Sequence, residues 1–300
     1  MILLISIFVQ PKPKNKIMNK FFTLSFFILS LIVSAQNSLQ FDKKFVQSED
    51  RWVAFSADSI GNHPYGFIYI DSQAGLTFDY EGTFKIDEKG KFISTKKELQ
   101  GAMKYRLEPN NNLVAFIPES KFTELQIQKV PDWLKGYKTD EGSIDRLYKW
   151  GYMYNGWNEC EKALEFLEKA NKINSDYKGL QVELAFSYNC LKRYNDAITV
   201  LNKAVKQNPL DSYTNKELIY ALVKNGNLEE AKNVYRKVLK EVKDKTYNSE
   251  NAYNILQYYF IKKDVKNFES WLSEANSDLL SKPNFKNLVE QMKTELNLKN

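Results

Sequence analysis

Among 300 residues the chain holds one histidine, His63, and two cysteines, Cys160 and Cys190. One histidine excludes multi-histidine metal centres, and two cysteines exclude a four-cysteine zinc site and a disulfide scaffold. A catalytic histidine needs an acid or nucleophile oriented beside it. His63 sits in Gly61-Asn62-His63-Pro64 with no recognisable Ser/Asp frame, and reads as a surface histidine in a turn between strands. Glu159, Glu161 and Glu165 have the spacing of a solvated helix side rather than of paired catalytic carboxylates. Gly142, Gly151 and Gly156 form no phosphate loop, because the GxxxxGK(S/T) pattern is absent. The expectation is a protein that is not an enzyme and uses no cofactor or metal.

The elements that would position any site come next. Apolar residues are 43%, charged residues 27%, and the mean hydropathy is −0.50, which suits a folded, soluble chain. The length suggests about two domains. Met18-Asn19-Lys20, the apolar stretch Phe21 to Val33 and the small residues to Ala35 follow the order of a secretory signal. That stretch is shorter than the roughly 20 residues a spanning helix needs. Cleavage is expected before Gln36, giving a bacterial-type exported protein, periplasmic or extracellular, with no membrane span afterwards. Met18 opens a complete signal by itself, so residues 1–17 read as an upstream extension. Residues 36–300 carry 39 basic and 37 acidic side chains, without the basic excess of a nucleic-acid binder.

From Leu39 to Val130 the apolar residues recur mainly at period two, as in half-buried strands. The clearest run is Leu76, Phe78, Tyr80, Phe84 and Ile86, closed by a turn at Glu88-Lys89-Gly90. Trp52–Phe55, Tyr65–Ile70, Lys91–Ser94, Met103–Leu107 and Leu113–Ile117 read as further strands, with Leu125 and Ile127 marking a last one. Alternation predicts one wet and one dry face. The expected architecture is multidomain α+β: a small antiparallel sandwich or barrel over 36–139, then an all-α solenoid of helical hairpins over 140–300.

The back half repeats itself at a fixed period. Ala163, Ala197 and Ala231 are each 34 apart; Leu167, Leu201 and Tyr235 follow four later, and Ala170, Ala204 and Val238 seven later. Gly151 and Ala185 keep the same spacing, as do Tyr154, Tyr188 and Leu222. Each unit reads as two amphipathic helices with a small residue at their crossing. One unit cannot bury its apolar face alone, so units stack. Leu147-x₂-Trp150-Gly151-x₂-Tyr154 with Ala163-x₃-Leu167-x₂-Ala170, and then Leu184-Ala185-x₂-Tyr188 with Ala197-x₃-Leu201-x₂-Ala204 and Pro209, resemble the tetratricopeptide repeat (TPR) family. A third unit departs at Ile219. A fourth is degenerate and spaced slightly further on, and Phe285, Leu288, Val289 and Met292 mark a capping helix.

The resemblance implies a concave groove lined by one stripe of the first helices. Here that stripe holds Tyr148, Tyr152 and Asn155; Val182, Phe186 and Asn189; Tyr213, Lys216 and Tyr220; and Tyr253, Gln257 and Phe260. It is rich in aromatics and lightly charged, which suits an extended peptide or a docked helix. The resemblance also places Cys160 near the start of one helix and Cys190 near the end of a neighbouring antiparallel one. Two alternatives stay open: a disulfide across adjacent repeats, or a buried Cys160 with Cys190 facing away. The functional expectation is an exported scaffold or adaptor that binds a protein or peptide partner. The alternative is a small-ligand or glycan-binding β-domain with the repeats as a stalk or dimerisation arm.

Overall fold

The computed structural model describes residues 39–97, 103–108, 110 and 112–298. The expected signal and upstream extension lie outside them. The chain divides into two compact units, the second beginning at Lys138.

The first unit is an antiparallel sheet of seven strands: β1 (Lys43–Lys44), β2 (Arg51–Ala54), β3 (His63–Asp71), β4 (Gly75–Ile86), β5 (Phe92–Lys96), β6 (Met103–Arg106) and β7 (Leu113–Phe116). The order is β1-β7-β2-β3-β4-β5, with β6 also on β4. Aspartate–glycine pairs make the turns. Asp58 Oδ1 accepts from the N–H groups of Ile60 and Asn62, and Asp87 Oδ1 from those of Lys89 and Lys91. Three positions after each aspartate, Gly61 and Gly90 take φ of +84° and +75°.

Three expectations are corrected. First, β3 is buried on both faces from Tyr65 to Ile70, so the sheet does not divide into one wet and one dry face. Phe122, Leu125, Leu134 and Tyr137 pack on the face of Trp52, Tyr65, Phe67 and Tyr69. Phe78, edge-on to Phe55, lies on the other. Second, β4 does not keep one apolar face. Tyr80 pairs with Gly66 and Gly82 with Tyr65, leaving Glu81 as a bulge. One extra residue reverses the alternation, and Phe84 joins the Tyr65–Phe67 core instead of the face of Phe78. A Cβ on Gly82 would stand 2.3 Å from the Thr95 carbonyl oxygen, which keeps that position glycine. Third, Leu125 and Ile127 belong to no strand. Phe122–Leu125 is a single helical turn, α1, ended by left-handed Gln126 at φ +52°. Phe122 and Leu125, three apart, reach the core from that turn.

The second unit is the helical stack. Its hairpins are α2 (Ile144–Gly156) with α3 (Cys160–Ile173), α4 (Leu180–Cys190) with α5 (Tyr194–Gln207), α6 (Ser212–Asn225) with α7 (Leu228–Glu241), and α8 (Asn248–Ile261) with α9 (Val265–Glu274). A short α10 (Asn276–Leu279) leads to α11 (Pro283–Glu295), whose Val289 and Met292 are buried. Ala163, Ala197 and Ala231 are fully buried. A Cβ on Gly151 would lie 2.3 Å from Leu167 Cγ, so the first crossing has room only for glycine unless Leu167 shifts. Each hairpin turns through one left-handed residue: Asn158, Lys192, Gly226 and Lys263. The next residue donates its N–H back to the carbonyl of Tyr154, Tyr188, Leu222 or Tyr259, closing a Schellman motif. No helix among the described residues is long and apolar enough to cross a membrane.

Cys160 and Cys190 are bonded, with Cα atoms 6.3 Å apart. Cys160 is the first residue of α3 and Cys190 the last of α4, so the bond clamps two adjacent repeats.

Candidate functional site

Three neighbouring cavities run along the first helices of repeats one to three. The first, about 570 Å³, includes Tyr148, Val182, Glu183 and Tyr213 in its wall. The second, about 380 Å³, is lined by Tyr152, Asn155, Glu183, Phe186 and Tyr213 together with Trp157. The third, about 360 Å³, includes Phe186, Asn189, Lys216, Tyr220 and Glu250. Tyr213 joins the first two, and Phe186 the last two. Nine residues of the predicted stripe therefore meet along one groove.

The aromatics are half-buried and held by neighbouring rings. Tyr148 lies 5.1 Å from Tyr177, Tyr213 5.9 Å from Tyr247, and Tyr220 6.5 Å from Tyr194, between ring centroids. Burial, and secondarily nearby carboxylates, push the Tyr148 and Tyr213 hydroxyls above their ordinary range, so both are neutral donors at physiological pH. Tyr152 is the open edge, 58% exposed. Such rings lose little conformational freedom on contact and offer large areas to a partner.

The polar members serve the stack. Asn155 and Asn189 are buried, and each donates from Nδ2 over 2.9 Å to a glutamate of the next repeat, Glu183 or Glu217. Lys216 Nζ lies 2.7 Å from Glu217 Oε1 and 3.5 Å from Glu250. Burial alone would lower the Lys216 pKa, but these two carboxylates outweigh it and raise it. Glu183 and Glu217 are groove residues that the stripe leaves out, as are Trp157 and Glu250. The signal of Glu183 and Glu217 was present, since these two glutamates and the two asparagines each recur at the period of the repeat. Tyr253 and Gln257 line none of the three cavities. Tyr253 packs 5.2 Å from Phe285 of the capping helix, and Gln257 donates to the Tyr253 hydroxyl. Phe260 is half-buried and packs against the hydrophobic core of the later repeats.

His63 is not in a turn. It opens β3, half-buried, with its ring stacked between Phe41 and Phe84 and Nδ1 2.9 Å from the Phe55 carbonyl oxygen. The sheet unit also holds an aromatic cluster that sequence reasoning missed. Lys104 Nζ sits 5.4, 5.4 and 4.2 Å from the centroids of Tyr69, Trp133 and Tyr137. It joins residues 69 and 104, on two strands that flank β4, with 133–137, on a 3-10 helix. The chain's own ammonium fills it. Burial first, and then the neighbouring tyrosine, push the Tyr69 hydroxyl up to about 12 despite that lysine.

Antiparallel hairpins stacked at a nearly constant period, with Ala163, Ala197 and Ala231 buried at successive crossings, define a helical-repeat solenoid. Residues 191–249 match the family model of the tetratricopeptide repeat, and the C-terminal half is a tetratricopeptide-repeat structure. No curated protein matches the sequence. Among solved structures the chain is similar to MamA from MSR-1, at 19% identity over 48% of this chain and 81% of that one, with a TM-score of 0.41. It is similar to a tetratricopeptide repeat protein from Parabacteroides merdae, at 14% identity over 58% and 62% of the two chains, TM-score 0.38. A TPR repeats protein from Bacteroides fragilis shares 14% identity over 55% and 86%, TM-score 0.27.

Proposed function

We propose that the protein is an exported, non-catalytic scaffold that binds a protein or peptide partner in the groove of repeats one to three. The observation that carries this reading is the continuous aromatic wall of Tyr148, Tyr152, Phe186, Tyr213 and Tyr220 across three successive repeats. Aromatic anchors dominate interface energetics. Export rests on the signal-like segment ending at Ala35, and the Cys160–Cys190 bond supports it, because disulfides persist in oxidising compartments. The near balance of charge over residues 36–300 speaks against nucleic acid as the partner.

The test begins with capture of partners from the native envelope and continues by titrating the purified partner. Replacing both Phe186 and Tyr220 with alanine is expected to cost about 2 kcal/mol or more of binding, roughly 30-fold in Kd. Both side chains are half-buried, so the variant should lose a few degrees of melting temperature and stay folded, and the Kd is read below that melt. An unchanged Kd in the double variant would remove the groove from the account.

A further inference from the structure

Two successive repeats set the same carboxylate into the groove wall and treat it differently. Glu183 and Glu217 stand one repeat apart, each bonded to an asparagine of the preceding repeat. Glu217 has a counter-ion from within the chain. The Lys216 ammonium lies 2.7 Å away, flanked by the rings of Tyr213 and Tyr247 at 5.2 and 5.9 Å from their centroids. One repeat before Lys216 stands Val182, so Glu183 lacks that lysine. No cation pairs with Glu183 among the described residues. Burial and the like charge of Glu217 push its carboxyl above the ordinary range, and only the Asn155 amide acts the other way.

The 380 Å³ cavity opens onto Glu183. Its aromatic walls are Tyr152, Trp157, Phe186 and Tyr213, Met153, Asn155 and Gly156 complete the lining, and no lysine or arginine is among them. We propose that this cavity takes a lysine or arginine side chain of the partner, with the cationic head on Glu183 and the methylene stem between the aromatic rings. A carboxylate withdrawn from water without a counter-charge is costly, and an incoming cation relieves that cost. Aromatic faces add their own attraction for a cation. Lys216 against Glu217, Tyr213 and Tyr247 is the same constellation completed within one chain. The inference rests on the groove reading above and adds the partner's charge.

A random heptapeptide library displayed on phage and selected on the purified protein tests it. The bound peptides are expected to carry Lys or Arg at one recurrent position. Synthetic copies are expected to lose at least tenfold in affinity on Glu183→Gln. Val182→Lys should supply the missing counter-ion from within, keep the melting temperature and weaken the same peptides at least tenfold. Basic enrichment that survives undiminished on Glu183→Gln and Val182→Lys would overturn the cation assignment. Peptides without basic enrichment that are lost on the Phe186→Ala, Tyr220→Ala double variant would also overturn it, while leaving the groove standing. Peptides indifferent to all of these variants, or a library that yields none, would overturn both.

Discussion

The sheet unit and the repeat unit bury comparable side chains by different logics. In the sheet, Phe67 and Phe84 share a core although they belong to different strands, and one bulge residue decides which face Phe84 takes. In the repeats, Ala163, Ala197 and Ala231 occupy one structural position three times over, each set by contacts within its own hairpin and with the next. A repeat thus tolerates insertion between units. The left-handed turn residue recurs at one spacing from Asn158 to Lys192 to Gly226 and at a longer one to Lys263, with the hairpin intact. The sheet has no such freedom, because a shift of one residue in a strand exchanges its two faces.

Phe84→Ala is the largest way to break that contrast. Phe84 is buried in the core with Tyr65, Phe67 and Phe92, and emptying its site should cost about 3–5 kcal/mol. Deleting Glu81 sets Gly82 directly after Tyr80 and keeps Phe84 opposite His63 on the same face, so it should cost far less. Glu81→Ala removes partly exposed ion pairs with Lys96 and Lys97 and should cost less than about 1 kcal/mol. Denaturant melts of the three variants give the comparison, and a deletion as costly as Phe84→Ala would mean that the extra residue does more than set the face of Phe84.

In the repeats, replacing both cysteines with alanine removes a bond closing a loop of sequence separation 30. The chain-entropy model puts that loss at about 3.5 kcal/mol, readable as a lower melting temperature that reductant no longer changes. Ala197→Leu overfills a helix crossing that is fully buried and should cost about 1–3 kcal/mol. A wild-type melting temperature would show that Ala197 is not at a close crossing.

A smaller change sharpens the comparison between repeats. Asn155 Oδ1 accepts from Ser187 Oγ at 2.6 Å, but Asn189 Oδ1 is buried with no partner, because Ala221 stands where the equivalent serine would be. Ala221→Ser should satisfy that oxygen and stabilise the protein by about 1 kcal/mol. A lower melting temperature would mean the site has no room for the hydroxyl.

These differences explain what the sequence made legible. The four hairpins, the capping helix, the crossing alanines and most of the groove followed from a period that repeats because adjacent units repeat. The bulge at Glu81 did not, since Phe78, Tyr80, Phe84 and Ile86 keep even spacing through it. Leu125 and Ile127 have the spacing of a strand because they are two apart on either side of left-handed Gln126. Asn155 and Asn189 belonged to the groove stripe by position, but their burial depends on glutamates of the following repeat. Tyr253 sits on the stripe too, and only the fold of the chain's end brings Phe285 against it.

The bond between Cys160 and Cys190 also gives the stack a direction. A linear array of repeats opens from its ends, where each unit has a single neighbour. At the leading end, the start of α3 stays tied to the end of α4 while the bond holds. At the trailing end the fourth hairpin and α11 have no such clamp. Unravelling of the oxidised protein is therefore expected to begin at the C-terminal side. A protease or a pulling machine would meet a loose end and a locked one, and a change in redox conditions would make the two alike.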